Sequence, residues 1–221
     1  MAQPNLFTLT KAAPAFFMDL HEPKQFMKNG KPKGAAKYSI NAVLKPDSED
    51  LKTIAGMCKA LADAAFAGQE GYDWKTAEKP YKKAETIIDA RKKSKAKDGK
   101  EYSGDLDWIA GTYTLKASST FAPALSGLEG GRLVEYKTEE ARAASKAKFY
   151  NGAEVLMQVN LQPYEMDGRY GVTAYLNMVL TTGKGEKRGG TARAAADVFK
   201  GYAGTISHED PMGADALEEQ F

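Results

Sequence analysis

Few residues in this chain have the types and spacing that chemistry needs. Asp105 and Asp107 stand two apart in Ser-Gly-Asp-Leu-Asp-Trp. That spacing suits paired carboxylate ligands for a divalent metal in a nuclease, and it equally suits turn acids ahead of a strand. The histidines, His21 and His208, have no nearby Ser, Cys or second His from which to build a triad or a metal site. One cysteine, Cys58, excludes an intrachain disulfide and any multi-cysteine metal site. Gly183-Lys184-Gly185 follows a strand pattern, but Arg188 stands where a G-x-G-x-x-G fingerprint needs its third glycine. No P-loop is present. No catalysis, metal or cofactor is expected from these residues.

A different chemistry has its ingredients throughout the chain. Single-stranded nucleic acid is held by a basic groove along the phosphates and by aromatic rings that stack on bases. Aromatic and basic residues interleave at Lys37-Tyr38, from Tyr113 to Lys116, at Lys148-Phe149-Tyr150, at Tyr164, and at Arg169-Tyr170. The first candidates for contact are Lys37, Lys116, Tyr150, Tyr164 and Tyr175. Lys24, Lys28, Lys31, Lys33 and Lys184 would guide the backbone. Tyr38 and Tyr113 alternate in phase with aliphatic residues, so each suits the core or a platform. Tyr175 alternates with the apolar set and is the better surface candidate.

Charge points the same way. The net charge of +2 hides an asymmetry. Residues 207–221 hold five acids and no Lys or Arg, and the rest of the chain carries 31 basic against 24 acidic residues. Residues 75–100 alone hold 10 basic and 4 acidic residues. A basic body with an acidic tail suggests a polyanion ligand and a tail able to compete with it. Within the tail, Asp215, Glu218, Glu219 and the terminal Phe221 suit docking into a basic pocket on a partner, and a solvated end reads equally well. No apolar run approaches the ~20 residues of a membrane helix. Residues 1–10 have neither a basic residue nor a long apolar segment, so no signal peptide is expected.

The elements that must position these residues are mostly strands. Residues 149–182 read as one long β-hairpin turning at Met166-Asp167-Gly168-Arg169. In its second arm Tyr170, Val172, Ala174, Leu176, Met178 and Leu180 share one face. Further strands are expected at 14–21, 37–44, 109–119 and 132–136, with turns at 121–123 and 127–131. Asp47-Ser48 opens a helix whose stripe Leu51, Ile54, Cys58, Leu61, Ala62, Ala65 and Phe66 makes Cys58 a buried small hydrophobe. Shorter helices are expected at 84–91, 138–148 and 192–202, with a basic loop at 24–34 and a mobile basic loop at 92–100. There is no βαβ alternation, and about five strands with inserted helices fit a small antiparallel barrel.

Several segments in this order resemble a known family. They are Phe17-Met18-Asp19-Leu20-His21-Glu22-Pro23, Lys37-Tyr38-Ser39, Leu44-Lys45-Pro46-Asp47, the stretch 111–117, and Phe149-Tyr150-Asn151-Gly152 with its hairpin. Together, over residues 11–204, they look like phage-encoded single-stranded DNA-binding proteins with an OB fold and an acidic tail. The resemblance implies a five-stranded antiparallel OB barrel over residues 1–206, carrying a Lys-rich insert near 75–100, with a disordered tail at 207–221. It implies a non-enzymatic protein that coats single-stranded DNA in phage replication and recombination, in the cytoplasm of the infected bacterial host. Its tail would recruit a phage DNA polymerase, helicase or nuclease, and a homodimer is compatible with it. The alternatives are a metal-dependent nuclease using Asp105 and Asp107, and a phage adaptor whose main ligand is another protein.

Overall fold

Strand-favouring alternation dominates the chain, and the computed structural model, which describes residues 5–28 and 31–188, is mainly β. In chain order the strands are β1 (Leu6–Thr8), β2 (Ala13–Lys24), β3 (Met27–Lys28), β4 (Lys31–Pro32), β5 (Lys37–Leu44), β6 (Tyr81–Lys83), β7 (Tyr113–Ser119), β8 (Ala124–Glu129), β9 (Arg132–Glu135), β10 (Ala153–Met166) and β11 (Arg169–Gly185). The helices are α1 (Glu49–Phe66), α2 (Ala84–Lys97) and α3 (Glu139–Ser145). All but β3 and β4 join one nine-stranded sheet.

The expected hairpin, β10 with β11, is the backbone of that sheet. It runs from Ala153 opposite Gly185 to Met166 opposite Arg169. The turn places Asp167 and Gly168 at φ of 52° and 69°, the left-handed values a tight hairpin demands. β10 also pairs with β2, β2 with β5, and β5 with β7, all antiparallel. β7 then meets β11 in parallel, at Tyr175 opposite Ser118, so five strands form a closed circuit of pairings. This corrects the purely antiparallel, five-stranded expectation. One junction of the circuit is parallel, and β1, β6, β8 and β9 extend the sheet beyond it, β8 also running parallel to β11.

The inward faces form the main core. Val155, Met157, Val159 and Leu161 from β10 pack with Val172, Ala174, Leu176 and Val179 from β11. Helix α1 closes one end with Leu51, Ile54, Cys58, Ala62 and Phe66. It starts where expected, because the Ser48 hydroxyl accepts from the Leu51 N–H, a cap worth about 1 kcal/mol. Asp50 in its first turn accepts from the Thr10 N–H and hydroxyl at 3.0 and 2.8 Å, tying the helix to the segment between β1 and β2. Cys58 is fully buried, and burial pushes its thiol up to about 12.

Four expectations are corrected. Alternation in β11 changes phase at Asn177: Val159 faces Leu176, yet Gln158 faces Met178. The extra residue is a β-bulge, which turns Met178 outward and Val179 inward. Residues 127–131 are not simply a turn. Gly127 lies inside β8, where a Cβ would collide with the Tyr136 hydroxyl, so the glycine serves packing as well as turning. The strand expected at 14–21 is β2, which runs on past Glu22-Pro23 to Lys24. The 92–100 loop is helix through Lys97, because Ile88 anchors α2 to a second small core with Phe16, Ala84, Leu106 and Ile109. That core lies outside the main one and holds the Lys-rich insert against β2 and β5 through Phe16 and Val43. The expected helix at 192–202 and the turn at Asn29-Gly30 lie outside the described residues.

Candidate nucleic-acid interface

The outer face of β5 and β7 is polar because the inner face takes the alternate residues. Ile40, Ala42, Leu115 and Ala117 go to the core. Lys37, Ser39 and Asn41 on β5 and Lys116 and Ser118 on β7 take the other face, with Asn41, itself buried, opposite Lys116 and Ser39 opposite Ser118. Two adjoining grooves cross this face and share Lys116 and Ser118 in their walls. The first, of about 460 Å³, is bounded by Lys24, Phe26, Lys33 and Lys37. The second, of about 570 Å³, is bounded by Phe17, Lys82, Tyr164 and Thr173. Tyr175, 48% exposed, lines neither groove, but it pairs across the sheet with Ser118, which lines both. The arrangement is a polar floor with lysines along it and exposed rings at intervals, which are the two components of single-strand binding.

Of the residues expected from sequence, Lys24, Lys33, Lys37, Lys116 and Tyr164 come together here, and Tyr175 is the strand neighbour of Ser118 in their shared wall. Lys24 ion-pairs with Asp19 at the groove wall. The Tyr164 hydroxyl donates to Glu78 Oε2 at 2.7 Å. Burial, and then this carboxylate, push Tyr164 up to about 12, so it stays a protonated donor. Lys31 is exposed on β4, in the short hairpin beside the first groove. The side chain of Lys28 lies outside the described residues, as do Asp215, Glu218, Glu219 and Phe221.

Tyr150 and Lys184 line neither groove. Gly152, at φ 94°, wraps residues 149–152 so closely around 185–188 that a Cβ there would strike the Glu186 carbonyl. The Tyr150 hydroxyl consequently donates to the Gly185 carbonyl at 2.9 Å, with Lys187 Nζ 5.5 Å from its ring. Tyr113 joins the main core, and Trp108 packs edge-on to Phe16 at 6.0 Å in the second.

Sequence reasoning missed Phe26, 66% exposed, and Phe17, 37% exposed. A phenylalanine inside a basic loop was the available signal for the first. Phe17 carried none, because it sits in a strand whose alternation predicted a buried or solvated position by parity alone. Lys82 was also missed. The insert reaches the groove because Glu78 bridges to the hairpin, its N–H donating to the Tyr170 carbonyl and its own carbonyl accepting from Val172. β6 then pairs with β7. Lys79 lines the second groove as well, but its charge is engaged elsewhere. Its ammonium donates to the Trp74 and Ala77 carbonyls at 2.8 and 2.9 Å, and burial lowers its pKa.

The acids considered for a metal have structural partners. Asp105 Oδ2 accepts from Arg91 at 3.1 Å, and Asp107 Oδ1 accepts from the Tyr102 hydroxyl at 3.0 Å. The remaining Asp105 Oδ1 and Arg91 Nε are buried without a partner among the described residues. No group of three metal-ligating side chains occurs among the described residues. No helix among them is long and apolar enough to cross a membrane.

The structure resembles solved proteins of one kind. A single-stranded DNA-binding protein from bacteriophage Enc34 matches with a TM-score of 0.59 at 15% identity, covering 89% of this chain and 91% of the other. The same protein in complex with single-stranded DNA matches at 0.58 and 15% identity, over 84% and 90% of the two chains. Its C-terminal truncation matches at 0.59 and 14% identity, over 84% and 90%. At such identities the likeness speaks to the fold alone. No curated protein sequence matches the chain. The family described as the Enterobacter phage Enc34 ssDNA-binding protein matches residues 8–211, nearly the whole length, and the chain belongs to that family.

Proposed function

We infer that this protein coats and protects single-stranded DNA in phage replication and recombination, without sequence specificity and without catalysis. The observation that carries this reading is the pair of adjoining grooves on the outer β5–β7 face, joined at Lys116 and Ser118 and flanked by Tyr175. Lys24, Lys33, Lys37 and Lys116 neutralise phosphates, while Tyr164 and Tyr175 offer rings to bases. Lys28, Lys31 and Lys184 extend the basic path. The closed circuit of β2, β5, β7, β11 and β10, with its single parallel junction, supports an OB-type barrel as the scaffold. The acidic residues Asp215, Glu218, Glu219 and the terminal Phe221 recruit replication proteins and compete with DNA for the lysines. Exposed Leu128 and Leu133, paired across β8 and β9, support self-association. The protein acts in the cytoplasm of the infected host.

The test is a salt titration of binding to a fluorescent oligo-dT, with a duplex of the same length beside it. Several phosphate contacts predict a log–log slope of about −0.7 per contact. Tight, salt-sensitive binding that prefers the single strand is expected. Equal affinity for the duplex, or none for either, removes the reading.

A further inference from the structure

We propose that Phe17 is a base-stacking platform, presented to the groove by a strained bulge in β2. The proposal rests on the single-strand-binding reading above. Phe16 pairs with Asn41 and Asp19 with Ser39, so two residues on β2, Phe17 and Met18, face one residue, Ile40, on β5. This is a β-bulge, and such bulges re-aim side chains near functional sites. Phe17 sits in it at φ 48°. A large residue without a glycine's freedom is a genuine outlier there. The surroundings over-determine it. The Phe17 N–H donates to Asn151 Oδ1 at 3.0 Å, and the neighbouring Gly152 N–H donates to the Ala15 carbonyl at 2.7 Å. The start of β10 therefore holds the bulge shut from across the sheet.

The strain places the ring where burial would not. Phe16 is fully buried in the second core, while Phe17, next to it, is 37% exposed and lines the groove that contains Lys116 and Tyr164. Phe16 packs against it edge to face, with ring centroids 5.0 Å apart, and the Arg91 guanidinium lies 5.8 Å from the ring centre, which steady the ring without covering it. An apolar ring held open at a conformational cost, beside lysines, fits a base better than it fits solvent. The other role such a ring could have is to seat α2 through Arg91, and that role predicts a loss of stability instead of a loss of affinity.

Phe17→Leu keeps the apolar bulk and the backbone but removes the flat π-face. Its affinity for oligo-dT should fall by roughly five- to a hundredfold, the range for one lost stack. The salt slope should stay unchanged, since no phosphate contact is removed, and so should the thermal midpoint. Ultraviolet cross-linking of the unsubstituted protein to oligo-dT, mapped by mass spectrometry, should place a thymidine adduct on Phe17, and it decides the matter if the variant does not fold. If the unsubstituted protein binds normally while Phe17→Leu matches it or Phe17 carries no adduct, the platform is overturned and the binding reading survives. If the unsubstituted protein does not bind at all, both fall.

Discussion

At the scale of single residues, what separates a groove residue from a folding residue is what else its polar atoms are doing. Lys116 stands over two grooves, whereas the ammonium of Lys79 is consumed by backbone carbonyls. Tyr175 is nearly half exposed, with Ser118 beside it. Tyr175→Ala should therefore weaken oligo-dT binding by roughly five- to a hundredfold in fluorescence anisotropy, with an unchanged thermal midpoint. Full affinity would take it out of the site. His21 answers to pH instead of to DNA. Burial first, then the charges of Arg142 and Lys146, hold its pKa below 6.5, against smaller opposing pulls from the Arg142 backbone and Glu22. Its ring nitrogen lies 3.1 Å from the Ser145 hydroxyl. The folded chain thus prefers the neutral ring. Its contribution is complete above 6.5 and is lost as pH falls from there towards the lowered value, because only the unfolded chain takes up the proton. Between about pH 7.5 and about pH 5.5 the melting temperature should fall further in the wild type than in His21→Gln. Equal falls would assign the acid sensitivity to other groups.

At the scale of elements, the groove exists because the Lys-rich insert is docked at two places. β6 pairs with β7, and Glu78 bridges to the hairpin at Gly171. A Cβ on Gly171 would come within 2.8 Å of the Glu78 carbonyl and 2.9 Å of the Tyr164 ring. Gly171→Val should then cost about 1–3 kcal/mol in urea unfolding, the usual range for overpacking, and should weaken oligonucleotide binding as the wall shifts. An unaltered unfolding curve would show that the bridge is dispensable. The sequence showed α1, β5 and the turn of the long hairpin nearly to the residue, because each has a local cause: a Ser cap with an apolar stripe, strict alternation, or an Asp-Gly turn. It did not show β8, whose Gly127 is demanded by a tyrosine hydroxyl nine residues away. The last turns of α2 were equally hidden, since charged residues from Lys92 to Lys97 follow an anchor that only the second core provides.

At the scale of the whole molecule, the basic body and the acidic end belong to one argument. Deleting residues 207–221 removes five acids, which the proposed function sets in competition with DNA for the same lysines. The truncated protein should bind oligo-dT more tightly, most clearly at low salt, and should lose any replication partner captured through the tail. Unchanged affinity at low salt would make the tail a bystander at the groove. Composition and order along the chain were enough to identify the class of ligand, the β character and the family resemblance, because charge, aromatic content and hydropathy period are local properties. The face on which those residues meet was not a local property. Tyr150 and Tyr175 both looked like stacking residues, but the wrap at Gly152 sends the first to the Gly185 carbonyl while the second stands exposed beside Ser118 of the groove wall. Phe17 was beyond reach for the same reason: alternation gives each strand residue one of two faces, and a bulge that breaks the count is held by Asn151, 134 positions away. Sequence periodicity determined which residues leave the core wherever no bulge breaks the count, and long-range strand pairing decided the rest and which of them stand together.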